Sequence, residues 1–513
     1  MTPLRDLFPR PLPLVAPVQW QVGPGAAIIR LVNLATIIEG HPPEAPALLA
    51  GDRVSRFGAL RERVGAARGA LVTAGVEPGD RVALVAGNSE RFVEAYLATI
   101  GIGAVVVPLN PLSPIAELQR EMDLVGARLV VTEGGEGSHP GLREFGRPVL
   151  DSLDSDAVVP IRELDSDAIA VAIFTSGTAG APRAAMLTHG NLLVNIEQVR
   201  AHRNGVAAAR SDDVVLGMLP LFHVFGLNTV LGAALHAGAC TVLVDHFDPR
   251  EVMALIARRR VTVVPAAAAM WAAIAELDET LSIDVSSVRL TGSGAAKLSL
   301  SVADRLRARF GFVVREGYGL TETSPIVALA AGTDAPPGSI GRPVPGVEMR
   351  LVDGGGRDVP VGDEGEIVVR GPNVFAGYWN DPQATAAVKT SDGWLRTGDV
   401  ALVDEDGFLL LVDRVKDLII VSGFNVYPAE VEDVLETHPA VARVAVVGTA
   451  DSRTGEAVHA FVIIRRGSSV TERELVEFAS TQLARYKCPT RVTFVDAFPE
   501  SFAGKVKRRE LRD

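Results

Sequence analysis

The chain has 513 residues, of which 48% are hydrophobic and 5% aromatic. That length exceeds one ordinary core, so two or more domains are expected, and so aliphatic a composition excludes a disordered chain. A formal net charge of −12 argues against a nucleic-acid binder, which normally carries a basic footprint, yet leaves room for a nucleotide site built from a few donors.

The opening MTPLRDLFPRPLPLVAP is proline-rich and lacks the continuous apolar core of a signal peptide. Next, AAIIRLVNLATIIEG (26–40) has helical periodicity and reads as a core-facing helix, with contact to a membrane surface as the alternative. From about residue 45 to 340 the chain repeats helical stretch, turn and short β-branched run, as in LRERVGAARGALVTAGVEPGDRVALVAGN. Strands this short and apolar are expected to be buried on both faces in mostly parallel sheets. YLATIGIGAVVVPLNPL, from Tyr96, is broken by Gly, Pro and Asn; it reads as a buried helix entering a buried strand, not a membrane span. Two cysteines, Cys240 and Cys488, supply neither a disulfide framework nor metal-ligand spacing, so a cytoplasmic setting is expected.

Residues 174–191, FTSGTAGAPRAAMLTHGN, follow a strand in which Ile169, Val171 and Ile173 alternate with Ala, and precede a helix with Leu192, Leu193, Ile196 and Val199 on one face. Gly177 and Gly180 let backbone N–H groups converge, and Thr175, Ser176 and Thr178 add hydroxyl donors, which is the equipment for wrapping an anion. No Gly-Lys-Ser/Thr run follows, so this is not a P-loop; the cation present is Arg183.

Near residue 340 the pattern changes to shorter strands between Gly, Pro and Asp turns, as in GSIGRPVPGVEMRLVD, which predicts an antiparallel or barrel-like element. After Asp413 a compact strand-and-helix unit follows, which places a domain boundary at 412–416. The expected architecture is α/β: an N-terminal domain, 1–412, of layered α/β subdomains plus a β-barrel-like element, and a small mobile α+β domain, 413–513. The terminal basic cluster Lys507, Arg508 and Arg509 reads as a solvated face.

Further segments stand in order along the chain: PLFHVFGLN (220–228), GSGAAKLS (292–299), EGYGLTETSP (316–325), GWLRTGD (393–399), DRVKDLIIVSGFNVYPAEVE (413–432) and GKVKRREL (504–511). With these in view, the chain from roughly residue 30 to its end resembles the adenylate-forming (AMP-binding) superfamily, and within it the acyl-CoA synthetases. The resemblance implies attack of a carboxylate on ATP to give acyl-AMP and pyrophosphate, then transfer of the acyl group to a thiol. A carboxylate with a pKa of about 4–5 is already ionised, so the first step needs charge neutralisation and alignment rather than a general base.

By resemblance, Glu322 ligates Mg²⁺, Thr321 donates to the α-phosphate, and Tyr318 with Gly319 lies against the adenine. Asp399 takes the ribose hydroxyls and Arg414 reaches the ribose or phosphates. Ser293, Gly294, Ala295 and Ala296 pass beneath adenine and border the acyl pocket. His223 stands at the carboxylate end of that pocket, and Lys505 bridges the carboxylate and α-phosphate during adenylation. Lys416 occupies the hinge about which the C-terminal domain rotates, withdrawing Lys505 and bringing Gly423 to the pantetheine tunnel. Relatives commonly carry Thr, Lys and Gly where this chain has Ala179, Arg183 and Ala184, so one hydroxyl is lost and the loop's charge is spread over a planar fork.

An Ala-rich presumed pocket, VVPAAAAMW (263–271), with no buried acid in PLFHVFGLN to hold an ammonium, favours a medium- or long-chain fatty acid. Alternatives are an aryl or polycyclic acid, a ligase that loads a separate carrier protein, a luciferase-like oxygenase, or a nucleotide sensor without catalysis. The expected partners are ATP, Mg²⁺, coenzyme A and a small carboxylic acid, with no nucleic acid and no integral membrane segment; a homodimer is compatible with the sequence.

Overall fold

The structure is a computed structural model that describes residues 32–512, apart from 134–147, 151, 158, 176–181, 279–281, 415–416, 422–423, 452–453, 484 and 501–505. The first sheet begins with β1 (Arg81–Val85), crosses over through α1 (Glu90–Gly101) to β2 (Val105–Leu109), and continues with β3 (Ile169–Thr175) and β4 (Arg183–Thr188), followed by α2 (His189–Ala201). β1 and β2 pair in parallel from Arg81↔Val105 to Val85↔Leu109. All of β2 is buried, as its unbroken apolar run VVVPL requires. α1 starts where Ser89 Oγ accepts from the Phe92 N–H at 3.1 Å, so the expected helix-into-strand reading of this region holds. Of the segment 26–40, Leu34–Ile38 forms a short 3₁₀ turn that buries Leu34, Ala35, Ile37 and Ile38 against the core; residues 26–31 lie outside the described residues.

One expectation is corrected here. The glycine loop does not run straight into a helix: β4 intervenes and pairs antiparallel with β3, from Thr175↔Arg183 through Ile173↔Ala185. The helix waits for its cap. Thr188 Oγ1 accepts from Asn191 N at 2.9 Å while Asn191 Oδ1 accepts from Thr188 N at 3.0 Å, which fixes the start of α2 at His189.

Among the described residues the second sheet has thirteen strands. Its parallel heart includes β5 (Val214–Gly217), β6 (Val263–Ala267), β7 (Leu290–Gly294) and β8 (Arg315–Gly319), each beside the next. The switch to antiparallel pairing comes at Ile326–Leu329, somewhat before residue 340, and continues through β9 (Leu395–Val403) and β10 (Leu409–Arg414).

After β10 a sheet of five strands among the described residues begins at Ile419–Val421 and includes β11 (Val441–Asp451) and β12 (Gly455–Ile464), with α3 (Pro428–Glu436) packed on it. It has a core of its own, in which Ile419, Val431, Leu435, Val446 and Val458 are buried together. The terminal basic cluster is not uniformly a solvated face. Arg508 donates to both carboxylate oxygens of Glu432 at 2.8 Å, because the Glu500↔Val506 bridge turns the last helical turn, Arg508–Arg512, toward α3. Across the two parts of the chain, Lys297 Nζ meets Asp433 Oδ2 at 2.6 Å. No helix among the described residues is long and apolar enough to cross a membrane.

Candidate active site

Four in-register strands build a floor. Val215, Val263 and Leu290 are neighbours across β5, β6 and β7, and Pro265, Gly292 and Arg315 across β6, β7 and β8. Side chains at i, i+2 and i+4 share a face, so Gly294, Gly317 and Gly319 extend the same floor. The roof is the wide helical turn Phe225–Gly232 together with Asn195, Ile196 and Val199 of α2. Between them lies a cavity of about 510 Å³. At Gly294 the roof comes down on the floor: a Cβ there would stand 2.9 Å from the Phe225 ring. At Gly292 a Cβ would find nothing within 4 Å, so the cavity is open at that point.

One end of the cavity is polar and tightly paired. The Tyr318 hydroxyl donates to Asp399 Oδ2 at 2.7 Å, and Asp399 is buried. The Tyr378 hydroxyl donates to Glu322 Oε1 at 2.7 Å; burial, then the nearby Glu322 charge, pushes the Tyr378 pKa up, so this phenol stays a donor. Tyr378 is brought there by the pairing Tyr378↔Ala185, which hangs its short strand on β4. Arg183, at the head of β4, lies 3.4 Å from Asp381 and places its guanidinium 5.7 Å from the centre of the Tyr378 ring. Arg183, Tyr378 and Glu322 therefore form one connected group.

His223 faces the cavity beside the roof. Its Nδ1 accepts from the Phe225 N–H at 3.3 Å, which leaves the ring proton on Nε2, and burial lowers its pKa to about 4. The result is a neutral imidazole with one donor free to meet an anion. Ala295 follows β7 with φ of +69°, a conformation that non-glycine residues rarely hold.

The cavity brings together Thr175, Arg183, His223, Ser293, Gly294, Ala295, Tyr318, Gly319, Thr321 and Glu322. Asp399 joins through Tyr318, and Arg414 is placed beside Asp399 by backbone pairing. Ala296 is exposed and adjoins Ala295 without lining the cavity. Ser176, Gly177, Thr178, Gly180, Lys416, Gly423 and Lys505 lie outside the described residues. Sequence reasoning missed Tyr378, Asp381, Thr229 and Arg315. Tyr378 and Asp381 sit in FAGYWND, which has no periodicity to betray them; Arg315 carried a signal, a charge directly after the apolar run FGFVV.

A paired nucleotide-sized polar end opening onto an apolar slot defines a class, and comparison with known proteins names it. The chain belongs to the AMP-binding enzyme family: the family pattern matches residues 35–379, and that of the AMP-binding enzyme C-terminal domain matches 430–505. It is an AMP-forming acid–CoA ligase that works with ATP, Mg²⁺ and coenzyme A. Among similar proteins, a feruloyl-CoA synthase of Amycolatopsis sp is 37% identical over 478 residues, 92% of this chain and 96% of its own length. A 4-coumarate–CoA ligase 2 of Nicotiana tabacum is 36% identical over 461 residues, 85% of each chain. The ATP-bound structure of MatB from Rhodopseudomonas palustris superposes with a TM-score of 0.87 at 31% identity, covering 94% of this chain and 98% of that one.

Proposed function

We propose that this ligase activates an aromatic carboxylic acid of the phenylpropenoate type and transfers it to coenzyme A. The observation that carries this reading is a cavity in which the paired polar end runs into a glycine-floored slot. A floor of Gly292, Gly294 and Gly317, with the Phe225 ring close above Gly294, suits a planar ring better than a coiled alkyl chain, and the names of the relatives point the same way. The aryl acid is therefore preferred to the fatty acid favoured by an Ala-rich lining alone.

In the first step a carboxylate oxygen bonds to the α-phosphorus of ATP, the bond from that phosphorus to its bridging oxygen breaks, and pyrophosphate leaves. His223, neutral, donates from Nε2 to the acid's carboxylate and orients it. Asp399 receives the ribose hydroxyls once Tyr318 shares or yields its bond, and Arg183 with Thr175, Ser176, Gly177, Thr178 and Gly180 surrounds the outer phosphates. Glu322 fits a Mg²⁺ ligand, since its carboxylate is aimed by the Tyr378 hydroxyl and keeps one oxygen for the ion; when bound, Mg²⁺ neutralises phosphate charge. Thr321 donates to the α-phosphate, and Lys505 bridges it to the carboxylate. In the second step the thiol sulfur attacks the acyl carbonyl, loses its proton, and AMP leaves.

A hinge at Lys416 is supported by the interval between β10, which ends at Arg414, and the next strand, which begins at Ile419; a division into 1–412 and 413–513 would cut β10, so the boundary is better placed in that interval. The test is pyrophosphate release and thioester formation against phenylpropenoic, benzoic and fatty acids, with and without coenzyme A. Phenylpropenoates should lead by at least about tenfold in kcat/KM; a leading fatty acid would overturn the aromatic reading. Lys505→Ala should abolish adenylation while sparing thioester formation from supplied acyl-adenylate.

A further inference from the structure

Arg183 stands where the glycine loop re-enters the sheet. It opens β4 and pairs across the ladder with Thr175, the last residue of β3, and both line the cavity. Its guanidinium is held from the side: the closest contact with Asp381 is through Nε, 3.4 Å from Oδ2. The guanidinium carbon lies 5.7 Å from the centre of the Tyr378 ring, whose hydroxyl donates to Glu322 Oε1 at 2.7 Å. The nearest approach thus leaves the end of the guanidinium, Nη1 with Nη2, for another partner. A planar fork of this kind matches two oxygens of a phosphate at once.

Asp381 is itself held in place. Its Oδ1 accepts from the Ala384 N–H at 2.8 Å and so caps the short helix Pro382–Val388. Its carbonyl accepts from Thr385 Oγ1 at 2.9 Å, and the same Oγ1 accepts from the Tyr378 N–H at 2.9 Å. One carboxylate oxygen is committed to the backbone, then, and the other is presented to Arg183, from a turn that also fixes Tyr378. An arginine side chain gives up much rotamer freedom when it is ordered, and ordering it before the ligand arrives lowers that cost of binding. A lysine would have one nitrogen for both tasks, whereas arginine offers Nε to the carboxylate and its end fork to a phosphate.

We propose that Asp381 is a positioning residue for Arg183: it takes the guanidinium by Nε, holds it beside the Tyr378–Glu322 pair, and leaves Nη1 and Nη2 to meet an outer phosphate of ATP. This rests on the reading above that puts Arg183 at the outer phosphates, and it adds the carboxylate that aims it. Charge alone argues for the opposite effect, since an anion near a phosphate site repels ATP. The two accounts therefore differ in sign.

The experiment measures dissociation constants for Mg–ATP and for AMP by calorimetry, with the wild type, Asp381→Asn, Arg183→Met and the double variant. AMP has no outer phosphates, so the preference for ATP over AMP within each variant cancels any general loss of folded protein. Asparagine caps a helix as well as aspartate does, so Asp381→Asn removes the charge and keeps the turn. It should lower the preference for ATP by about two- to fivefold, the scale of a partly exposed ion pair, with AMP affinity unchanged. Arg183→Met should lower the preference by about 10- to 100-fold, and adding Asp381→Asn to it should lower it no further. A preference that rises or stays level in Asp381→Asn, or that falls equally with and without Arg183, overturns the positioning role. An unchanged preference in Arg183→Met overturns the placement of Arg183 at the outer phosphates, and the proposal with it.

Discussion

The two ends of the cavity are built on opposite principles. At the polar end three pairs of side chains hold one another: Tyr318 and Asp399, Tyr378 and Glu322, Arg183 and Asp381. At the acid end the walls include Val215, Val263, Pro265 and glycine, and the polar groups are few: Arg315 donates to the Ala335 carbonyl, and Thr229 Oγ1 has no partner among the described residues. Pairing fixes side chains before the ligand arrives, so little reorganisation is left for the reaction, which suits a ligand that never changes. An apolar slot with isolated polar groups reads a ligand by shape and by one or two contacts, so a few substitutions there can change the acid accepted. Constancy and variability are thus divided along one floor, with Gly319 and Arg315 only four residues apart on β8.

If that contrast is right, disturbing the paired end should damage the reaction with every acid equally. The largest effect is expected from Glu322→Gln, which should lower pyrophosphate release by about 10²–10³-fold with all acids alike; a loss that depended on the acid would break the comparison. Tyr378→Phe removes only the donor that aims Glu322, so a loss of about tenfold is expected, again independent of the acid, with raised Mg²⁺ demand as the readout. A smaller effect concerns His223 at the junction. Its pKa of about 4 lies below the ordinary histidine value, so between those values the unfolded chain binds the proton and the folded site does not. Stability from this residue should therefore rise with pH from about 4 to 6.5, and His223 should cause no inflection in the activity profile from pH 7 to 8. Titration of the His223 ring by NMR checks this, and a pKa above about 6 would contradict it. The smallest effect is at the bend after the floor strand: Ala295→Gly should stabilise the protein by about 0.5–1 kcal/mol, because glycine holds a φ of +69° without steric penalty; thermal unfolding measures it.

Much of the fold was legible because strand burial writes itself into sequence. VVVPL and IAVAIFT announce strands covered on both faces, and the helix before VVVPL is periodic. What escaped was β4. RAAMLT is too short and too rich in alanine to be told from a first helical turn; only its ladder to β3 and the Thr188–Asn191 cap decide the matter. Around the cavity, Glu322 and His223, which line it, and Asp399, which bonds Tyr318, stand inside quoted motifs whose neighbouring residues single them out. Tyr378 and Arg508 were not, since their roles arise from partners 56 and 76 residues away, a separation no local pattern records.

Glu276 closes the account of how the C-terminal unit meets the rest of the chain. It lies 2.9 Å from Arg305 on its own side and 3.2 Å from Arg465 across the junction, and more than half of its side chain is exposed. Lys297 and Asp433 are similarly accessible to solvent. Exposed pairs of this kind contribute about 0–1 kcal/mol each, so the contacts across the junction hold the C-terminal unit weakly, and breaking them would leave no charge stranded away from water.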